Sequence, residues 1–168
     1  MTLAHDVTGD GPSTVLLLHS GVCDRRMWDA QFDALAAAGH RVVRCDLRGF
    51  GDSPVDRPHL HADDVAGLLD GLGAERAALV GSSFGGEVAL EHEARPAGVT
   101  EAQLAAVDVP VLAVTGGHDV PDFRTLADRL ATLIPRTRRL DLDWAGHLPS
   151  LERPEEISAL LADFLDRP

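Results

Sequence analysis

Ala77-Ala78-Leu79-Val80-Gly81-Ser82-Ser83-Phe84-Gly85-Gly86 decides how this chain is read. An apolar run of strand character ends in two serines flanked by glycines, and Glu87-Val88-Ala89-Leu90-Glu91 follows with helical composition. The pattern G-x-S-x-G on a strand–turn–helix puts its middle serine at the tip of a tight turn. The glycines remove side chains that would collide with the adjoining strand and helix. A serine hydroxyl is a weak nucleophile unless it is exposed, aimed and paired with a base. The turn does the aiming, and the first N–H groups of the helix point to where negative charge would develop. Ser83 is therefore the candidate nucleophile, and the Phe84 N–H the candidate oxyanion donor.

In a chain with 16 glycines such a pentapeptide can arise by chance or as an ordinary βα turn, so its company matters. His19-Ser20-Gly21 follows the apolar run Val15–Leu18, and Asp46-Leu47-Arg48-Gly49-Phe50-Gly51-Asp52-Ser53 follows Arg41–Cys45. Gly116-Gly117-His118-Asp119 follows Val109–Val114, and Gly146-His147 follows Arg138–Leu142. Each motif lies at the C-terminal end of a strand-like segment, the edge of an open parallel sheet at which ligands bind. The order Ser83…Asp119…His147 is the chain order of one of the known nucleophile–acid–base arrangements. Bland readings stand beside these. A histidine in a glycine-rich turn can simply cap backbone, and Asp108 and Asp122 are alternative carboxylates near Asp119, Asp122 also being placed to cap a helix that starts near Pro121.

Taken together, these residues make the chain resemble the α/β-hydrolase family. HSGVCDRRMWDAQ is similar to the family's oxyanion loop and first helix, CDLRGFGDS to its turn after the fourth strand, and GSSFGG to its nucleophile elbow. TGGHDVPDF resembles the acid loop and AGHLPSLERPEEI the histidine loop, so the resemblance runs from about Leu3 to Leu165. It implies Ser83 as nucleophile, His147 as general base and acid, Asp119 as the residue orienting His147, and the N–H groups of Gly21 and Phe84 as the oxyanion hole. The family more often has glycine second in the oxyanion motif, where this chain has Ser20, which leaves open whether the Gly21 or the Val22 N–H points inward.

The departure from the family lies between residues 86 and 108. A helix running to Glu93 or Ala94 breaks at Pro96-Ala97-Gly98, and a short one follows with Thr100 as N-cap and Gln103 three residues on, a capping-box pattern. Val109 then opens the next strand, so the family's lid and sixth strand have no segment to encode them, and its first strand is missing too. A sheet gap there would leave buried backbone groups unpaired at about 1–3 kcal/mol each. The expected answer is a slide that pairs Val111–Val114 directly with Ala78–Val80, since the Gly85–Asp108 connection is long enough for a right-handed crossover. The alternative is an element swapped in from a second chain. A lidless pocket should be open and shallow, with weak selectivity among short esters.

The expected fold class is α/β: one domain over residues 1–168 with no cap, and an open, mostly parallel sheet of about six strands with helices on both faces. Strands are predicted near Leu3–Val7, Val15–His19, Arg41–Asp46, Ala77–Gly81, Val109–Thr115 and Thr137–Leu142. Apolar stripes at helical spacing run through Val65, Leu68, Leu69 and Leu72, through Phe123, Leu126, Leu130, Leu133 and Ile134, and through Ile157, Leu160, Leu161, Phe164 and Leu165.

Composition narrows the chemistry. A formal charge of −12 argues against nucleic acid and anionic membranes as partners. The acidic residues, Asp63-Asp64 and Glu152–Glu156 among them, read as solvated helix faces. With no Lys, Asn or Tyr in the sequence, a Schiff-base lysine, a Ser-Lys dyad, a P-loop lysine and a Cys-His-Asn triad are excluded. No cofactor and no metal are expected; His59-Leu60-His61 with Asp63-Asp64 has metal-like spacing but no second cluster of ligands. Cys23 and Cys45 are too few for a disulfide framework, and nothing near Cys23 would activate it as a thiolate. Met1 is followed by no basic and apolar leader, which makes a cytoplasmic monomer or homodimer the expectation. The function expected from the residues and the resemblance is cofactor-free hydrolysis of a small carboxylic ester, lactone or thioester through an acyl-serine. Perhydrolysis of the cofactor-free haloperoxidase type, or a non-catalytic binding remnant of the fold, are the alternatives.

Overall fold

The computed structural model describes residues 3–94 and 99–167. Six strands alternate with helices: β1 (His5–Thr8), β2 (Thr14–Leu18), a 3-10 turn (Arg25–Trp28), α1 (Asp29–Ala37), β3 (Arg41–Cys45), α2 (His61–Gly71), β4 (Ala77–Gly81), α3 (Phe84–Glu93), α4 (Glu101–Ala105), β5 (Val111–Gly116), α5 (Pro121–Leu133), β6 (Thr137–Leu142), α6 (Pro149–Glu152) and α7 (Pro154–Asp166). The contacts divide the chain into two compact units, one ending at His92 and the other beginning at Glu93.

In the first unit four strands form a sheet in the order β1-β3-β2-β4. β2 lies between β3 and β4 and runs parallel to both, with Leu18 opposite Cys45 on one side and Gly81 on the other. Its sequence, Thr-Val-Leu-Leu-Leu, is buried at every position, as a central parallel strand covered on both faces requires. β1 is antiparallel to β3. Leu16, Leu18, Val43, Cys45, Val65 and Leu68 meet in one core, so α2 buries the stripe read from its sequence. The Cys45 thiol is pushed up to about 12 by burial, and it is a core residue.

Two polar clusters tie the loops of this unit together. Asp46, fully buried, accepts the N–H groups of Arg25 and Asp52 at 2.8 Å and pairs with the Arg25 guanidinium. Gly51, at φ +47°, gives it room: a Cβ there would lie 2.1 Å from the carboxylate. Arg48 binds Asp64 in a fork, Nε to Oδ2 at 2.7 Å and Nη2 to Oδ1 at 2.9 Å, and reaches Asp56 at 2.6 Å. Asp46 and Arg48 thus anchor the turn after β3, the first through Arg25 and the second through Asp64.

In the second unit β5 and β6 form a two-stranded parallel sheet, Val111 opposite Thr137 through Gly116 opposite Leu142. The alternating, mostly parallel α/β architecture is as expected. Among the described residues the hydrogen-bonded ladders comprise four strands in the first unit and two in the second. Ala78–Val80 pair with β2 along one edge and Val111–Val114 with β6 along one edge, and the ladders among the described residues do not include the pairing of Val111–Val114 with Ala78–Val80 that a slide would give. α3 lies almost wholly in the first unit, and α4 packs on α5 in the second. No strand lies between β4 and β5 among the described residues. The expected break at Pro96-Ala97-Gly98 lies outside them. Thr100 and Gln103 do form a full capping box. No helix of the described residues is long and apolar enough to cross a membrane.

Asp64 and Arg48 have side chains only 4% and 2% exposed. The Arg48 guanidinium holds the Asp64 carboxyl below its ordinary 3.8, followed by Arg57. A carboxyl depressed by folding stabilises the protein fully above about pH 4 and loses that contribution as pH falls through its lower folded value. Asp64→Asn should therefore cost about 3–5 kcal/mol at pH 7, read from urea unfolding, and should flatten the loss of stability on acidification below pH 4. An unchanged acid limb would contradict this account of the pair.

Candidate active site

Ser83 has φ +53°, the one non-glycine residue in the left-handed region among those described. The neighbouring contacts force it there. β4 ends with the Ser82 N–H donating to Leu18 O at 3.1 Å, which continues the ladder to β2 by one residue. The chain must then reverse into α3 at once. A Cβ on Gly81 would lie 2.3 Å from Gly85 O, and one on Gly85 would lie 2.2 Å from Leu18 O. Neither glycine can be replaced without moving backbone. Held this way, Ser83 is exposed, and α3 begins at Phe84, whose N–H no carbonyl of its own helix can reach.

The loop after β2 is fixed by His19, a role that its sequence context does not signal. His19 is fully buried; its Nε2 accepts the Leu47 N–H at 2.9 Å, so Nδ1 carries the proton and donates it to Ser20 O at 2.8 Å. The Cys23 N–H donates to the same oxygen at 3.0 Å and closes a turn over Gly21 and Val22. The Ser20 N–H points to Met27 Sδ at 3.2 Å. A trans peptide aims its C=O and N–H in opposite directions, so pinning Ser20 O sets the direction of the Gly21 N–H. Gly21 abuts the Phe84 side chain, since a Cβ on Gly21 would lie 3.4 Å from Phe84 Cβ, whereas Val22 is 83% exposed. Gly21 and Phe84 thus come together beside Ser83, all within the first unit.

Asp119 and His147 come together in the second unit. Asp119 Oδ2 accepts from His147 Nδ1 at 2.8 Å, and its Oδ1 accepts the Val120 N–H at 2.7 Å. The Asp119 side chain is 8% exposed and that of His147 34%. Because the carboxylate can only accept, Nδ1 holds the proton, and the Nε2 of the neutral ring carries the free lone pair. The acid and histidine loops are zipped by backbone: Gly117 N–H to Leu142 O at 2.8 Å and His118 N–H to Ala145 O at 2.9 Å. A Cβ on Gly116 would lie 2.0 Å from Gly146 O, so the two loops approach as closely as they do because that residue is glycine. Asp122 lies in the first turn of α5, and His118 is an exposed loop residue.

The helical spacing of α5 predicts a buried Phe123, and the structure corrects this. Phe123 is 40% exposed, as is Leu126 at 51%, and its ring stacks on His147 with centroids 4.3 Å apart and planes 29° from parallel. His61, in the first unit, sits edge-on to Phe84 at 5.0 Å and to His59 at 4.7 Å. Among the described residues no group of three His, Cys, Asp or Glu side chains is placed to hold a metal ion. Burial and the neighbouring Asp24 push the Cys23 thiol up, away from thiolate.

Residues 15–149 match the model of the alpha/beta hydrolase family. The chain belongs to that family. It is 28% identical over 159 residues to the AB hydrolase superfamily protein YisY of Bacillus subtilis, covering 91% of this chain and 54% of that protein. It is 45% identical over 92 residues to the 2-hydroxy-6-oxononadienedioate/2-hydroxy-6-oxononatrienedioate hydrolase of Paraburkholderia phymatum, covering 49% of this chain and 32% of that one. The chain thus spans about half the length of the first relative and about a third of the second. The enol-lactonase of Burkholderia xenovorans LB400 has the same fold, with a TM-score of 0.88, 20% identity, and 98% and 96% of the two chains covered.

A left-handed backbone costs a residue with a Cβ about 1–2 kcal/mol that glycine does not incur. Ser83→Gly should therefore be more stable than Ser83→Ala by about 1 kcal/mol in urea unfolding. An alanine variant as stable as the glycine variant would mean that the turn holds no strain at Ser83.

Proposed function

We propose that this chain is a hydrolase that cleaves a small carboxylic ester, or a related lactone or thioester, through an acyl-enzyme on Ser83. The observation that carries the reading is the 2.8 Å hydrogen bond from His147 Nδ1 to Asp119. It fixes the tautomer that a general base needs and would stabilise the imidazolium formed when the base takes a proton. Support comes from the strained, exposed Ser83 with Gly21 and Phe84 beside it. The family itself, and relatives whose names denote hydrolases, support the same class of reaction.

In this mechanism His147 Nε2 removes the Ser83 proton as Oγ attacks the acyl carbon. The negative charge that develops on the carbonyl oxygen falls to the N–H groups of Gly21 and Phe84, at the start of α3. Imidazolium then protonates the leaving alcohol, or the thiol of a thioester. A water enters, gives its proton to Nε2 and attacks the acyl carbon, and His147 returns that proton to Ser83 as the acid departs. Asp119 holds one orientation of the ring throughout.

Ser83→Ala should lower kcat/KM for a short aryl ester by roughly 10³-fold or more, with circular dichroism unchanged. Ser82→Ala should stay within about tenfold of wild type, because its side chain lies off the tip of the turn. Equal losses in the two variants, or no loss in Ser83→Ala, would overturn the assignment.

A further inference from the structure

Glu152 sits five residues beyond His147, and the sequence alone assigns it to an exposed acidic face. Its carboxylate does something more specific. Oε1 and Oε2 accept the Gly146 N–H at 3.1 and 2.9 Å, and Oε1 also accepts the Leu148 N–H at 3.3 Å. These are the amides of the two residues that flank His147. One side chain therefore grips the backbone on both sides of the imidazole. Gly146 makes room for it, since a Cβ there would lie 3.3 Å from Oε1.

The local chain has no other way to hold these amides. Leu148 is the N-cap of α6 and has no side-chain hydrogen bond to offer, and Pro149 occupies the first helical turn. Glu152 closes that turn in its place, its own N–H donating to Leu148 O at 3.2 Å. The next helix braces the loop again: Trp144 Nε1 donates to Glu156 at 2.9 Å, and Arg153 lies over the Trp144 ring at 4.3 Å. Glu156 and Arg153 fasten the start of the loop, while Glu152 reaches the residues on either side of His147.

We propose that Glu152 is a positioning residue for His147: by clamping the Gly146 and Leu148 amides it fixes the backbone from which the imidazole reaches Asp119. For catalysis this rests on the hydrolase reading above; for the placement of the ring it does not. Catalytic geometry tolerates little displacement, and an error of about 1 Å can cost about 10²-fold in rate. What the clamp needs is acceptor oxygen at the right reach, not charge. Glutamine keeps one such oxygen at the same distance from the backbone. Aspartate keeps the charge but withdraws it by one methylene, and alanine removes both.

The test is Glu152→Ala, Glu152→Asp and Glu152→Gln, each read in two ways. On a short aryl ester, Glu152→Ala and Glu152→Asp should lose about 10²-fold in kcat with little change in KM, while Glu152→Gln stays within about tenfold of wild type. By proton NMR, the downfield resonance of the His147 Nδ1 proton bonded to Asp119 should persist in Glu152→Gln and broaden or vanish in Glu152→Asp. The NMR arm needs no turnover, so a wild type that hydrolyses no ester would defeat the hydrolase reading and leave the clamp still testable. Should Glu152→Ala fail to fold, Glu152→Asp carries the comparison. Wild-type kcat and an unchanged resonance in folded Glu152→Asp would overturn the proposal, as would Glu152→Gln being as impaired as Glu152→Ala.

Discussion

Backbone in contact with backbone at the C-terminal ends of the strands is the constraint on which the rest of this structure depends. Gly85 lies against Leu18 O where β2 meets the turn after β4, and Gly116 lies against Ala145 and Gly146 where β5 meets the loop after β6. At both places a Cβ would overlap a carbonyl oxygen. At the first approach Ser83 takes a left-handed conformation and α3 starts at the following residue. The second brings the acid loop onto the histidine loop, so that Asp119 and His147 share a hydrogen bond. Steric exclusion, more than attraction, sets the loop geometry at both places.

Polar groups then remove the remaining freedom. In three loops a polar side chain fixes the backbone: His19 holds Ser20 O, Asp46 holds the amides of Arg25 and Asp52, and Glu152 holds those around His147. Each such bond to a charged or buried acceptor or donor narrows the conformations open to its loop. Rigid loops matter to the proposed chemistry, which asks for a proton acceptor and oxyanion donors already in place before substrate arrives.

Local features are legible in the sequence. The six strands fall within about two residues of where apolar runs and glycine turns put them, and the capping box at Thr100 is as read. The Asp119–His147 contact follows from motif order, and the structure separates Asp119 from Asp122, which serves the first turn of α5. Pairing is not legible, because which strand neighbours which depends on contacts distant in sequence. Hence the expected ladder between Val111–Val114 and Ala78–Val80 is not found among the described residues. Periodicity also misleads at α5: Phe123 and Leu126 have core spacing, yet both are exposed and Phe123 lies on His147. Glu152 and Glu156 read as solvated charges in the sequence, since composition alone does not reveal which carboxylate meets a backbone amide or an indole N–H.

The central claim is that the Asp119–His147 pair activates Ser83. The rate of covalent labelling by a fluorophosphonate, followed by intact mass and peptide mapping, tests it most directly. A single adduct on Ser83 of the wild type is the expected result, with labelling slowed by roughly 10³-fold in His147→Ala. Labelling at another residue, or at an equal rate in His147→Ala, would contradict the account.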